Sequence, residues 1–353
     1  MRLTRRSFLT LAGLAGLGFT VPACRRMLGQ ILFSPEATPA SPPAPTANPF
    51  RAGSQSLVAL VHGEDVPAMV RRAVELIGGI DRLDLEGRQV LVKPNVVSGE
   101  PPPATTDPRV VRAVAELARD AGAMELAIGD MSAVLALPTR PNLERTGIAG
   151  VAKEVGAELL AFDEGEWVEV EPPGVEYATR VFVARPAYEA ERLISVPVIK
   201  THRSASFSCA LKNTVGCVHG KNKPWAYGSR AWEPVVAELN LAVRPHLWVV
   251  DGLQSMVRGG PWSGEAAPTR LILASGDPVA ADVVALGLIK AHGRWGLVME
   301  KGIWEQVQIR TAIALGLGAR GPAEVALAVE DLTGTDPAFA RLVAEIRRHV
   351  GLD

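Results

Sequence analysis

From residue 56 onward, short β-branched apolar runs alternate with longer segments of helical period. Continuous apolar runs bounded by turn formers read as buried strands, and apolar spacing at i, i+3 and i+4 reads as helix. Strands are predicted at Ser56–His62, Gln89–Val92, Glu125–Ile128, Glu158–Phe162, Arg192–Val198, Leu247–Val250 and Arg270–Ala274. Helices are predicted at Val66–Ile77, Pro108–Asp120, Asn142–Val155, Trp232–Val243, Val279–Ala291 and Trp304–Leu315. This alternation implies an α/β fold, a doubly wound, mainly parallel sheet with helices on both faces. Two strand-like runs around Pro172-Pro173-Gly174 predict a small β-hairpin inserted into that sheet. Residues 56–353 read as the folded α/β body.

The chain ahead of that body is different. Arg5-Arg6-Ser7-Phe8-Leu9 precedes a mild apolar run, Thr10 to Val21, containing Gly13, Gly16 and Gly18. An Arg pair followed by Ser-Phe-Leu resembles the twin-arginine export signal, over residues 1–23, and makes the twin-arginine translocase the expected partner. Export across the cytoplasmic membrane follows, to a periplasmic or other extracytoplasmic location. Val21-Pro22-Ala23-Cys24 also resembles a lipoprotein cleavage site, which would leave Cys24 lipidated and the protein tethered to the membrane; plain cleavage and an uncleaved anchor are the alternatives. Residues 24–55, rich in proline from Pro35 to Pro49, read as a semi-rigid linker.

Composition narrows the function. The formal charge is −1, yet residues 1–23 hold Arg2, Arg5 and Arg6 with no acid, so the body is the more acidic part. Such a body lacks the basic footprint of a nucleic-acid binder. Cys24, Cys209 and Cys217 are the only cysteines, so no four-cysteine iron–sulfur cluster is expected from this chain alone. Cys209 and Cys217 either pair after export or stay reduced.

Several predicted strands run directly into polar residues: Lys93-Pro94-Asn95, Gly129-Asp130, Lys200-Thr201-His202, Asp251-Gly252 and Ser275-Gly276-Asp277. Ligands of open parallel sheets bind outside the carboxyl ends of the strands. If these strands are parallel neighbours, Lys93, Asn95, Asp130, Lys200, His202 and Asp251 face one crevice. Asp107-Pro108 and Asp277-Pro278 read as helix caps, and Thr105 and Thr106 as cap helpers or anion contacts. Lys212-Asn213 and the loop Arg258-Gly259-Gly260-Pro261 add further basic, amide and backbone N–H groups suited to an anion.

Taken in order, Val90-Leu91-Val92-Lys93-Pro94-Asn95, Ala104-Thr105-Thr106-Asp107-Pro108, Ile128-Gly129-Asp130, Lys200-Thr201-His202, Lys212-Asn213-Thr214-Val215-Gly216, Val250-Asp251-Gly252, Gly259-Gly260-Pro261 and Ala274-Ser275-Gly276-Asp277-Pro278 resemble the bacterial and archaeal family called domain of unknown function 362. The resemblance covers about residues 88–290. It implies that these blocks act together, without fixing a reaction. Family members are often exported, and some carry ferredoxin-type cysteines that this chain lacks. Where the family usually has an acid and a polar residue before Gly-Pro, this chain has Val257-Arg258-Gly259-Gly260-Pro261, and the extra guanidinium would shift the loop towards anions.

The leading expectation is an exported protein that binds an anionic small molecule, a carboxylate or phosphate, in the crevice. Lys93, Asn95, Thr105, Thr106, Lys200, Thr201, Lys212, Asn213, Arg258, Gly259 and Gly260 are the candidate ligand contacts. In an enzyme, His202 would do acid–base work, with Asp130 or Asp251 orienting it or holding a metal. The alternative is a non-catalytic, lipid-tethered accessory or receptor subunit of a cell-envelope or redox complex; a third is a scaffold whose site has decayed.

Overall fold

A computed structural model describes residues 22–45 and 47–352. The signal read at Arg5-Arg6 lies outside them, as does the side chain of Cys24.

The expected α/β fold forms. Among the described residues the main sheet has 12 strands, and its central path runs Val325–Asp331, Gln55–His62, Leu271–Ser275, Leu247–Gly259, Arg192–Val196, Gln89–Pro94, Glu125–Asp130, Glu158–Ala161. All pairings along this path are parallel except the two made by Leu271–Ser275. Strand residues alternate between two cores, as the two-residue period of a strand demands. Ala59, Val61, Ile272 and Ala274 face the helices Val66–Leu76 and Pro108–Asp120 on one side. Val58, Leu60, Leu271 and Leu273 face Pro278–His292 and Pro337–Val350 on the other.

Local chemistry fixes the helix starts. Asp107 and Asp277 accept the backbone N–H of Arg109 and Ala280, with proline at the first helical position, as the Asp-Pro pairs predicted. Gly147, at φ +82°, splits the predicted helix Asn142–Val155 into Arg140–Arg145 and Ile148–Val155. Pro197 divides the Arg192–Val198 run, and the chain resumes as Val198–His202 beside Leu247–Gly259.

Three expectations are corrected. Leu271–Ser275 is antiparallel to its neighbours, so Ser275-Gly276-Asp277 lies at the opposite end of the sheet from Lys93 and His202. The hairpin, Trp167–Val170 with Val181–Ala184, is not inserted into the main sheet but belongs to a separate three-stranded one. Its third strand is Ala37–Ala40, from the supposed linker. Extended Pro-rich chain suits an edge strand, where the missing N–H of Pro39 costs no ladder bond. The linker is thus docked, and Tyr188 and Arg185 bond to Ser41 and Thr38. Ahead of it Pro22–Leu32 is a helix that spans the expected cut before Cys24. Gln30 of this helix accepts Gly220 N–H at 2.8 Å, and Arg26 pairs with Asp163 and Glu164.

Candidate functional site

The parallel strands deliver their ends to one edge. There Lys93 Nζ lies 2.7 Å from Asp130 Oδ1, with side chains 1% and 2% exposed. The same ammonium donates to Pro94 O and Asn213 Oδ1, while Asp130 Oδ2 accepts Val96 N–H at 2.6 Å. Asn213 returns its amide to Lys93 O and Ser195 Oγ. Lys93 thus makes two hydrogen bonds and one ion pair, while Asp130 Oδ1 has no hydrogen-bond partner among the described residues. Gly216 roofs the pair; a Cβ there would collide with Asp130 Oδ1 and come within 2.6 Å of Lys93 Nζ.

Beside this pair opens a cavity of about 450 Å3. Its polar lining is Asn95, Asp130, His202, Ser204, Lys212 and Lys223, and its apolar walls include Ile31, Val134, Trp225, Trp232, Pro261 and Trp262. His202 Nδ1 accepts the main-chain N–H groups of Ser204 and Ala205, each at 3.1 Å. An acceptor Nδ1 puts the ring proton on Nε2. Burial, with Lys212 and Lys200 nearby, holds its pKa well below the usual value, so the ring is neutral and presents an N–H. Trp232 leans on the ring at 5.6 Å. Asn95 Oδ1 accepts from Lys200, which turns its amide NH2 into a further donor.

Lys212 Nζ makes no hydrogen bond or ion pair among the described residues. Burial and the neighbouring Lys93 bring its pKa down to about 8. Lys223 donates to Val215 O at 2.6 Å, and burial lowers it to about 7 against the pull of Asp130. Four lysines thus share one region with a single cavity-lining carboxylate, Asp130, which Lys93 already occupies. What remains facing the cavity is a set of donors.

The crevice reading narrows accordingly. Asn95, Asp130, His202 and Lys212 line the cavity. Lys200 does not: its ammonium straps Asn95 Oδ1 at 2.5 Å to Ala104 O at 2.7 Å, and burial holds its pKa well below normal. Thr105 and Thr106 are buried donors to Ser98 O and Val196 O. Thr201 Oγ1 is buried without a partner and does not line the cavity. Asp251 accepts the N–H of Asp107 and Leu253, pinning a helix start; it does not orient His202, and neither does Asp130. Arg258 is exposed and pairs in register with Glu265 on a hairpin arm. The N–H of Gly260 is spent on Ser263 O, closing that hairpin, which leaves the Gly259-Gly260 turn structural. Among the described residues no group of three His, Cys, Asp or Glu could hold a metal. Cys209 and Cys217 are buried free thiols, burial raising Cys217 to about 12.

The sequence reading missed Lys223, the three tryptophans and Ile31. The one signal available was Trp225, Trp262 and Lys223 in Gly- and Pro-rich stretches; Trp232 opens the helix Trp232–Glu238 and carried no such signal.

The profile of the family described as domain of unknown function (DUF362) matches residues 90–287, more than half the chain. The chain belongs to the DUF362 family. The matched span carries Lys93, Asn95, Asp130, His202, Lys212 and Lys223, whereas Ile31 lies outside it. This DUF362 protein is 27% identical over 230 residues to the thylakoid-associated protein sll1697 of Synechocystis, covering 63% of this chain and 70% of that one. A lactate racemase apoprotein from Thermoanaerobacterium thermosaccharolyticum aligns over 82% of this chain and 85% of its own, at 12% identity and a TM-score of 0.40. Likeness at that level carries no argument here.

Proposed function

We propose that the cavity binds an organic anion, with its carboxylate or phosphate held by Lys212, Lys223, His202 Nε2–H and the Asn95 amide, and its apolar body among Trp225, Trp232 and Trp262. The observation that carries this reading is Lys212, an ammonium on the cavity wall with no partner among the described residues. Desolvated positive charge is costly unless it deprotonates or meets an anion. His202 serves as a neutral donor in this reading and not as the general base, because protonating Nδ1 would set it against two N–H donors. That favours a binding protein or receptor over acid–base catalysis at His202. Export through the twin-arginine translocase and tethering through Cys24 are part of the same proposal, resting on Arg5-Arg6 and on Val21-Pro22-Ala23-Cys24. The Synechocystis relative is named a thylakoid-associated protein.

The probe is 8-anilinonaphthalene-1-sulfonate, an aromatic body with one anionic head. The expected result is saturable fluorescence at one site per chain, weakened in Lys212→Met and unchanged in Arg258→Gln. Equal binding by wild type and Lys212→Met would overturn the reading.

A further inference from the structure

Nine large apolar side chains are exposed among the described residues, and three of them line this one cavity. Leu135, Trp225 and Trp262 line its mouth at 72%, 39% and 37% exposure. Leu32 and Phe33 directly follow Ile31, which lines it too. We infer that this mouth is a docking face for a lipid bilayer, through which an amphiphilic anion enters the cavity.

Three observations select a lipid surface over another protein. First, the chain segments that carry the lining residues also carry cations: exposed Arg203 stands between the lining His202 and Ser204 in sequence, Lys221 two residues before the lining Lys223, and exposed Arg230 between the lining Trp225 and Trp232. None of the three makes an ion pair among the described residues. Of the acids, Asp163 and Glu164 are paired with Arg26 and Arg140, while Glu233 accepts the Ser206 hydroxyl and keeps its charge. Aromatic residues with unpaired Lys and Arg match the apolar boundary and anionic headgroups of a membrane interface. Second, a second copy of this chain would set these cations against one another. Third, the apolar run ending at Val21 precedes the helix Pro22–Leu32, whose Ile31 lines the cavity, so any membrane hold exerted there brings the mouth toward the surface. Among the described residues no helix is long and apolar enough to cross a membrane.

The ligand class deepens the anion-binding reading and rests on it. A cavity with donors at its floor, indole walls and an apolar rim fits a single-chain lipid carboxylate or phosphate, its head at Lys212 and its tail toward the bilayer.

The docking face is tested with the full chain and vesicles of phosphatidylcholine containing phosphatidylglycerol, with and without brominated acyl chains. Brominated lipid should quench the tryptophan emission, and Trp225→Phe with Trp262→Phe should remove roughly half or more of that quenching, since the other five of the seven tryptophans lie off this rim or deeper. The N-terminal segment is unchanged in this variant, so its own membrane affinity does not confound the comparison. Quenching equal in both proteins, or absent while the chain self-associates or captures a protein, overturns the docking face. The ligand class is tested without vesicles: oleate below its micellar concentration should displace the naphthalene sulfonate, and inorganic phosphate should not. Sulfonate binding that oleate leaves intact overturns the amphiphile while the anion site stands; absent sulfonate binding removes the anion site itself.

Discussion

Lys93 and Asp130 meet at 2.7 Å directly beneath the α-carbon of Gly216, with both side chains almost wholly out of water. A pair in this setting holds only while each charge keeps the other, because breaking it leaves an uncompensated buried ion. Lys93→Met should therefore lower unfolding free energy by about 3–5 kcal/mol in urea titration. Gly216→Ala should also destabilise, since its methyl has to displace Asp130 from Lys93. A Lys93→Met midpoint equal to wild type would mean the pair contributes nothing.

Two lysines from neighbouring segments should behave in opposite ways. Lys212→Met removes an unpartnered ammonium, so stability should hold or rise while sulfonate binding weakens roughly ten- to hundredfold, the worth of a charge-assisted hydrogen bond. Lys200→Met strips the donor from Asn95 and Ala104, so stability should fall. Binding by the wild type should also decline as pH rises through about 8, where free Lys212 loses its proton. Fluorescence titrations across that range, with Lys212→Arg retaining binding at the alkaline end, check both statements.

How much of this was legible follows from where each signal sits. The helix caps at Asp107 and Asp277 were visible because capping is written in adjacent residues. Asn95, Asp130 and His202 came together as read because parallel strands place their carboxyl ends on one edge. Leu271–Ser275 was misplaced because an apolar run looks the same in either direction, and only its long-range partners set its sense. Lys93 and Lys200 were recognised as unusual, but whether a buried ammonium meets a ligand or a carbonyl depends on residues far off in sequence, here Asn213 and Ala104. The tryptophan wall was hidden because it is assembled from three separate segments with no shared period. The helix Pro22–Leu32 was hidden behind an expected cleavage site.

Two buried carboxyls away from the cavity give the fold a pH dependence that can be isolated. Burial raises Asp251 to about 7, against the N–H groups of Asp107 and Leu253, and raises Asp282 to about 7, against those of Ala210 and Leu211. A carboxyl with a higher pKa folded than unfolded holds its proton more tightly in the fold. Its contribution is complete below the unfolded value near 4 and is lost as pH rises through the folded value. Buried His202, His219 and His246, whose pKa values burial lowers, act in the opposite sense over this interval, so the test is a difference: the urea midpoint of the wild type should fall relative to that of Asp251→Asn as pH rises from about 4 to about 7. A difference between the two proteins that stays constant over that interval would contradict the burial of Asp251.

The N-terminal helix is the part of the cavity wall that a single methyl can dislodge. Gly220 donates its N–H to Gln30 Oε1, and a Cβ on Gly220 would lie 2.5 Å from Gln30 O and 2.8 Å from Gln30 Cβ. Backbone on one side and a buried side chain on the other leave no flexible group to yield. Gly220→Ala should unseat Pro22–Leu32 while the sheet, which does not include this helix, stays folded. Arg26 would then leave Asp163 and Glu164 and become open to trypsin, so cleavage there should quicken at least about tenfold, as expected when a segment's local opening becomes easier. Because Ile31 lines the cavity, sulfonate affinity should drop in the same variant. Faster cleavage with unchanged affinity would show that the helix is docked but forms no part of the binding wall.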